Sequence, residues 1–246
     1  MILLAADTST SMGSVALRDR EGMIQREWLD SSRPHSETLL PAVEKILARV
    51  ELDRKDVQAV AVGTGPGAFT GLRVGLATFK AWAAAAGLSL IPVVSMDAVA
   101  LPVLREGNSA MVVADARKGE VYAAYYPSLE ENSLPCRQGD VALLPNEGFP
   151  EWFLSLNDPA VYVTGTGLLP LTREGLLDDL KCNRASAAAP DAIWILELAE
   201  ILLSLGRTVE PEGLVPCYVR PPDARKTSTG SMVTNLTDDD HSAGRR

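Results

Sequence analysis

Cysteine, histidine and positive charge are all scarce in this sequence, and each shortage removes a class of function. Cys136, Cys182 and Cys217 form no Cys-x-x-Cys pair, and any bridging scheme leaves one of the three unpaired. That pattern speaks against a disulfide framework or a structural zinc site, and for a reducing, cytoplasmic setting. Of the two histidines, His241 lies in the last stretch and His35 stands alone, with Leu39 where a helical His-x-x-x-His pair would finish. One imidazole does not make a metal centre, so none is expected. No Gly-x-Ser-x-Gly elbow and no His-Glu-x-x-His occur, which leaves hydrolase chemistry without visible machinery. Lysines and arginines number 23 against 32 carboxylates, a net charge of −9. A protein that grips nucleic acid unaided needs cations to displace phosphate counterions. Nothing here forms a basic stripe, so any link to nucleic acid is expected to run through a partner. No apolar run reaches the roughly 20 residues that span a bilayer. The opening Met1–Asp7 meets a carboxylate with no basic segment before it, so no secretory leader is expected.

What is present suits one large domain or two small ones: 246 residues, 46% of them apolar. Ile2–Ala6 is a compact apolar run, followed by Ser14–Leu17 and Met23–Trp28 across turn-rich segments, which predicts a three-stranded antiparallel meander. A helix is expected over Ser36–Val50, with Leu39, Leu40, Val43, Ile46, Leu47 and Val50 on one arc. Pro41 either delays its start or removes one backbone bond. A strand over Val57–Gly63, a helix over Gly71–Ala86 and a strand over Leu90–Val94 complete the first half. Then the opening returns. "ILLAADTSTSMGSVAL" and "AMVVADARKGEVYAAYY" share an apolar run, Ala-Asp, a turn and another strand, so Asp7 and Asp115 hold matching places. After the second copy come strand-like Val141–Leu144, a helix near Gly148–Leu156, a strand over Ala160–Thr164 and a helix over Ala192–Leu205. Pro190-Asp191 starts that last helix and Gly206 stops it. The repeated order predicts a duplicated α/β architecture, divided as 1–105 and 106–220. The segment 221–246, poor in apolar residues, is expected to be a disordered tail.

The densest local signal is "GTGPGAFTGLRVG" at 63–75. A phosphate-binding P-loop needs lysine directly after its last glycine, and Lys80 comes two turns too late. Gly63, Gly65 and Ala68 satisfy a dinucleotide pattern, yet the ribose-binding acid about 20 residues on is missing. The stretch therefore predicts a sharp turn into a helix, with Thr70 as N-cap and the Gly71 and Leu72 amides free. Arg73 opposes the positive end of that helix, which fits either an arginine reaching an anion such as Asp7, a ligand or a partner carboxylate, or a solvated arginine tolerated at small cost. With Asp7, Thr8 and Ser9 of the hydroxyl-rich turn Asp7-Thr8-Ser9-Thr10-Ser11 it forms a candidate degenerate phosphate or anion site. Such turns wrap phosphates in kinases of the actin type, while on the turn alone local Asx-type bonding is the favoured explanation. The mirrored turn Asp115-Ala116-Arg117-Lys118-Gly119 is poorer in hydroxyls, and Thr164-Gly165-Thr166-Gly167 reads as a plain strand-to-loop turn. The helix over Gly71–Ala86 is apolar almost all round. Trp82, Phe79, Leu72, Ala83 and Leu76 cover one side; Ala84, Ala77, Ala81, Val74 and Ala85 cover the other, beside only Arg73 and Lys80. A helix of that kind is buried on both sides.

Taken together, "DTST", "HSETLLP", "GTGPGAFTGLRVGLATFKAWA", "DARKGEVY" and the late "PCYVR" with Asp223-Ala224 resemble the bacterial TsaB family, also called YeaZ. The resemblance is strong over 1–126, faint over 127–215 and returns at 216–224. It implies an actin-like, ribonuclease H-like fold of two lobes, each a mixed sheet flanked by helices. It also implies a role in forming threonylcarbamoyladenosine on tRNAs that read codons beginning with A. The implied role is that of a partner subunit with no catalytic residues and no cofactor bound by the isolated chain. Its implied partners are a catalytic TsaD-like subunit and a TsaE-like ATPase, with ATP used by the assembled complex and tRNA reached only through it. A homodimer of the isolated chain stays open, as does a stand-alone ATP-using enzyme or peptidase on the same fold. The expected partner interface comprises Leu39, Val43 and Ile46 of the first helix, with Val74, Ala77, Thr78, Ala81 and Ala85 of the second.

Overall fold

The computed structural model describes residues 1–217 and Val219. The expected tail 221–246 lies outside these residues, as do Tyr218, Arg220, Asp223 and Ala224 of the late motif. The first sheet is built from β1 (Leu3–Asp7), β2 (Ser14–Arg18), β3 (Ile24–Trp28), β4 (Ala59–Gly63) and β5 (Ser89–Val93), with α1 (His35–Arg49), α2 (Phe69–Ala86) and α3 (Ser95–Arg105) threaded among them. The second is built from β6 (Ala110–Arg117), β7 (Glu120–Leu129), β8 (Pro135–Pro145), β9 (Tyr162–Thr164) and β10 (Asn183–Arg184), with α4 (Phe149–Ser155), α5 (Leu168–Arg173) and α6 (Ala192–Ser204). The strand orders are β3-β2-β1-β4-β5 and β10-β9-β6-β7-β8. In each sheet the first three strands in sequence are antiparallel and the last two are added parallel, so the two orders are one topology used twice. The duplicated α/β architecture expected from the repeat, in the two-lobed actin-like form that the resemblance implies, is therefore what the chain adopts.

Strand periodicity decides which layer covers which face, because successive side chains point to opposite sides. From β1, Leu4 and Ala6 join Val60, Val62 and the apolar arcs of α1 and α2. Leu3 and Ala5 turn the other way, to Ala59, Ala61 and to Ile195, Leu196 and Ala199 of α6. In the second sheet, Met111 and Val113 pack on Phe149, Phe153, Leu168 and Leu171, while Ala110 and Val112 pack on Met96, Val99 and Val103 of α3. Helices cross the expected division at 105/106, although the two sheets lie on either side of it. The chain exchanges inner helices: α6, from the second half, covers the first sheet, and α3, from the first half, covers the second. Ser14 Oγ accepts the Ala192 amide at 2.9 Å, which ties the start of α6 to β2. The exchange follows from geometry, since each sheet is buried on both faces and needs a helix on each.

Most strands and long helices fall within two or three residues of expectation. α1 runs straight through Pro41, so the residue costs one backbone bond and does not delay the start. Asp191 caps α6 by accepting the Ile193 amide, and Gly206 ends it at φ 69°, as its flanking residues predict. The helix α3, the short α5 and the two-residue β10 carry too few periodic positions to be foreseen, and α3 holds Pro102 besides. Among the described residues no helix is long and apolar enough to cross a membrane, and all three cysteines are free.

Candidate functional site

The hydroxyl turn after β1 is buried in its first half, while Thr10, Ser11 and Met12 reach the surface. Asp7, Thr8 and Ser9 have relative exposures of 0%, 0% and 1%. Asp7 Oδ1 accepts the Ser9 amide at 2.8 Å and Ser9 Oγ at 2.6 Å; Oδ2 accepts Ser95 Oγ at 2.6 Å. Burial pushes the Asp7 carboxyl above its ordinary pKa, against the lowering effect of those three bonds. Thr8 Oγ1 donates to the Gly71 carbonyl at 2.9 Å, and His35 holds the end of the turn with Nε2 2.7 Å from the Thr10 carbonyl oxygen. A carbonyl only accepts, so the proton sits on Nε2.

The glycine loop is what buries that half. A Cβ on Gly63 would overlap the Asp7 carboxylate, and one on Gly71 would overlap the Thr8 carbonyl oxygen. The glycines let a loop and a helix start lie directly on Asp7 and Thr8. Two local expectations are corrected. The helix begins at Phe69 with Ala68 at its N-cap position, so Thr70 is not the cap, and the Leu72 amide is already bonded to the Ala68 carbonyl at 2.9 Å. Arg73 does not reach Asp7; its guanidinium lies 3.7 Å from the centroid of the Phe69 ring, a cation–π contact on an exposed turn. Asp7, Thr8 and Ser9 thus come together as a closed knot, with Arg73 outside it. Ser95, which bonds Asp7 and accepts the Gly65 amide at 2.9 Å, escaped the sequence reading because the helix it begins went unrecognised.

The mirrored turn after β6 is open. Asp115 Oδ1 accepts the Arg117 amide at 2.8 Å, as Asp7 does for Ser9, and its Oδ2 lies 3.4 Å from Arg117 Nη1. Arg117 and Lys118 both take left-handed backbone angles, φ 64° and 58°, ahead of Gly119. Between this turn, the start of α2 and the α5 region lies a cavity of about 840 Å³, lined among others by Phe69, Tyr122, Leu169, Arg117, Lys118 and Arg173.

The expected partner residues divide cleanly. Leu39, Val43 and Ile46 are 1%, 0% and 0% exposed. They belong to the core of this chain and are corrected as interface residues: the apolar arc of an amphipathic helix faces its own sheet. On α1 Leu40 is an exposed large apolar residue. On α2, by contrast, Ala77, Ala81 and Ala85 are exposed and Thr78 is half-buried, at helical spacing, while Val74 is half-buried against the core of the first sheet.

One buried acid sets a pH dependence. Asp97, on α3, accepts the Tyr126 hydroxyl at 2.7 Å, and burial pushes its carboxyl up to about 6. In the unfolded chain an aspartate titrates near roughly 3.9. The folded state therefore binds the proton more tightly between about pH 4 and 6, and the stability that this provides is lost as pH rises through that window. Asp97→Asn is expected to remove the loss. Subtracting the variant's denaturation free energies from those of the native sequence should give a difference that falls with pH across this window, by at most about 3 kcal/mol. A flat difference would show that burial does not perturb Asp97.

Residues 29–136 match the family model described as TsaD, tRNA N6-adenosine threonylcarbamoyltransferase. The chain is 33% identical over 222 residues to the tRNA threonylcarbamoyladenosine biosynthesis protein TsaB of Escherichia coli, covering 89% of this chain and 95% of that one. It is 29% identical to the TsaB protein of Haemophilus influenzae, over 89% and 94% of the two chains. Among solved structures, YeaZ from Pseudomonas aeruginosa superposes with a TM-score of 0.72 at 28% identity, covering 89% of this chain and 99% of that one. A second Pseudomonas aeruginosa structure, described as similar to the peptidase YeaZ, superposes with a TM-score of 0.74 at 31% identity over the same shares. With one relative matched at that identity along nearly its whole length, and the fold shared throughout, the chain belongs to the TsaB (YeaZ) family of tRNA threonylcarbamoyladenosine biosynthesis proteins.

Proposed function

We propose that this chain is a partner subunit that performs no chemistry itself and supports a TsaD-like catalytic subunit in threonylcarbamoylating tRNAs that read codons beginning with A. The observation that carries the reading is the burial of Asp7: both its carboxylate oxygens are engaged by serines and the glycine loop lies directly on it. An actin-type kinase needs that carboxylate open to metal or water. A TsaE-like ATPase then supplies ATP turnover to the assembly, with no nucleotide cofactor on the isolated chain. At −9 net charge the chain meets tRNA through its partners. The exposed small-residue stripe of α2 is the surface on which the TsaD-like subunit docks, and a homodimer through the same stripe is the alternative occupant when the chain is alone. A purified chain is expected to hydrolyse ATP negligibly. Turnover on the order of 1 per second, as in ordinary kinases, lost on Asp7→Ala, would instead make it an enzyme in its own right.

A further inference from the structure

An aromatic groove of about 290 Å³ has no part in the partner role. Met12 of the turn after β1, Trp28 at the end of β3, Val99 and Pro102 of α3 and Trp194 of α6 line it, together with the alanines at 187–189. Met12 and Trp28 are 51% and 39% exposed, so apolar surface faces water there. Among the described residues the one charged side chain in the lining is Asp191, and Arg26 already pairs with it. Each indole already carries an arginine. Arg26 lies 5.0 Å from the Trp28 ring centroid and Arg105 lies 5.9 Å from that of Trp194. The groove therefore offers apolar and aromatic contact without an unpaired charge, which suits an uncharged apolar occupant.

The chain itself carries such an occupant to this place. Its last described residue, Val219, packs against the cluster that contains Val99, one wall of the groove. Val219 also lines the larger cavity, which shares Met12, Ala187 and Ala189 with the groove. After Arg220 the sequence continues Pro221-Pro222. Three residues of extended chain span about 10 Å, so Pro222 is within reach of a groove at whose wall Val219 already sits. Proline has no backbone N–H, so burying it against apolar side chains strands no donor. Proline segments dock in aromatic-lined grooves at low entropic cost, because their extended form exists before binding. A tethered segment also outcompetes a free peptide, its effective concentration being of millimolar order. We propose that Pro221 and Pro222 of this chain occupy the groove beside Trp28 and Trp194, as a strap across the first sheet, α3 and α6. The exposed alanines of α2 contribute nothing to the lining, so the strap and partner docking are separate.

Fluorine NMR of the full-length chain labelled with 5-fluorotryptophan tests this, with Trp28, Trp82, Trp152 and Trp194 assigned by single changes to phenylalanine. Pro221→Gly with Pro222→Gly alters no residue of either sheet, so the fold should persist. The double change should shift the Trp28 and Trp194 resonances. Those of Trp82 and Trp152, which pack against other clusters, should stay in place. A synthetic peptide of residues 218–226, added at millimolar concentration, should restore both resonances in the double variant. It should bind the native chain at least roughly tenfold more weakly, since there it competes with the tethered segment. Ala187→Glu, at an exposed position of the lining, should weaken the peptide's binding to the double variant roughly tenfold or more, by setting a charge against the apolar occupant. The proposal is overturned if Trp28 and Trp194 do not respond, if the peptide fails to restore them, if Ala187→Glu leaves its binding unchanged, or if it binds native and variant chains equally. Resonances of the native chain that move on dilution would make the occupant the segment of a second copy, and overturn it too.

Discussion

Replacing Ala81 with glutamate is expected to leave the isolated chain folded and to abolish both its co-elution with a TsaD-like subunit and the threonylcarbamoylation of tRNA. Ala81 lies at the centre of the stripe formed with Ala77, Thr78 and Ala85. Small side chains allow another helix to approach closely, and a carboxylate placed there would be taken out of water without a partner. The cost of that is several kcal/mol, enough to eliminate binding. In the free chain the new side chain points into solvent and alanine-to-glutamate is a mild change for helix propensity, so stability should barely move. Circular dichroism, gel filtration with the partner and quantification of the modified nucleoside separate the outcomes. A variant that unfolds would show the stripe to be core; one that folds and still binds would move the docking surface elsewhere.

A second large effect is expected inside the chain. Gly71→Ala should lower stability by roughly 3 kcal/mol, near the upper end of overpacking costs. For a domain of this size that is a fall in thermal midpoint of about 10 °C. Helix propensity argues the other way, since alanine in a helix is favoured over glycine by about 1 kcal/mol. Packing outweighs it: the added methyl meets the Thr8 carbonyl oxygen, a backbone atom held in a buried turn that cannot move aside cheaply. Thr70→Ala in the same turn is the control. Thr70 is exposed and caps nothing, so its loss should stay within about 0.5 kcal/mol, whereas a true N-cap would cost about twice that. A stable Gly71→Ala protein would mean that the glycine loop is free to move off the turn, and the phosphate site would then be open to question again.

How far the sequence alone reaches can be seen residue by residue. The repeat of apolar run, Ala-Asp and turn at Asp7 and Asp115 was legible because strand burial writes itself as local composition, and a duplicated chain must repeat it. The motifs around Gly63–Gly75 announced the family and a sharp turn into a helix. The α2 stripe was legible as well, since a helix with alanines where polar residues belong signals a covered face whatever it meets. Other features have no local signature. Leu39, Val43 and Ile46 show the same apolar periodicity whether they face their own sheet or a partner, and only the packing of α1 on β2 and β3 assigns them to the core. The burial of Asp7 and Thr8 depends on Ser95 meeting Asp7 across 88 positions and on Gly71 meeting Thr8 across 63. Arg73 stacking on Phe69, the exchange of α3 and α6 between sheets, and a cavity assembled from distant segments are likewise long-range. Periodicity and motif determined the elements, the duplication and the family, because each is set by neighbours along the chain. Which faces meet, which part of a turn is buried and which cavity stays open were decided only by tertiary packing, because close contact between distant segments depends on shape and volume that no local pattern encodes.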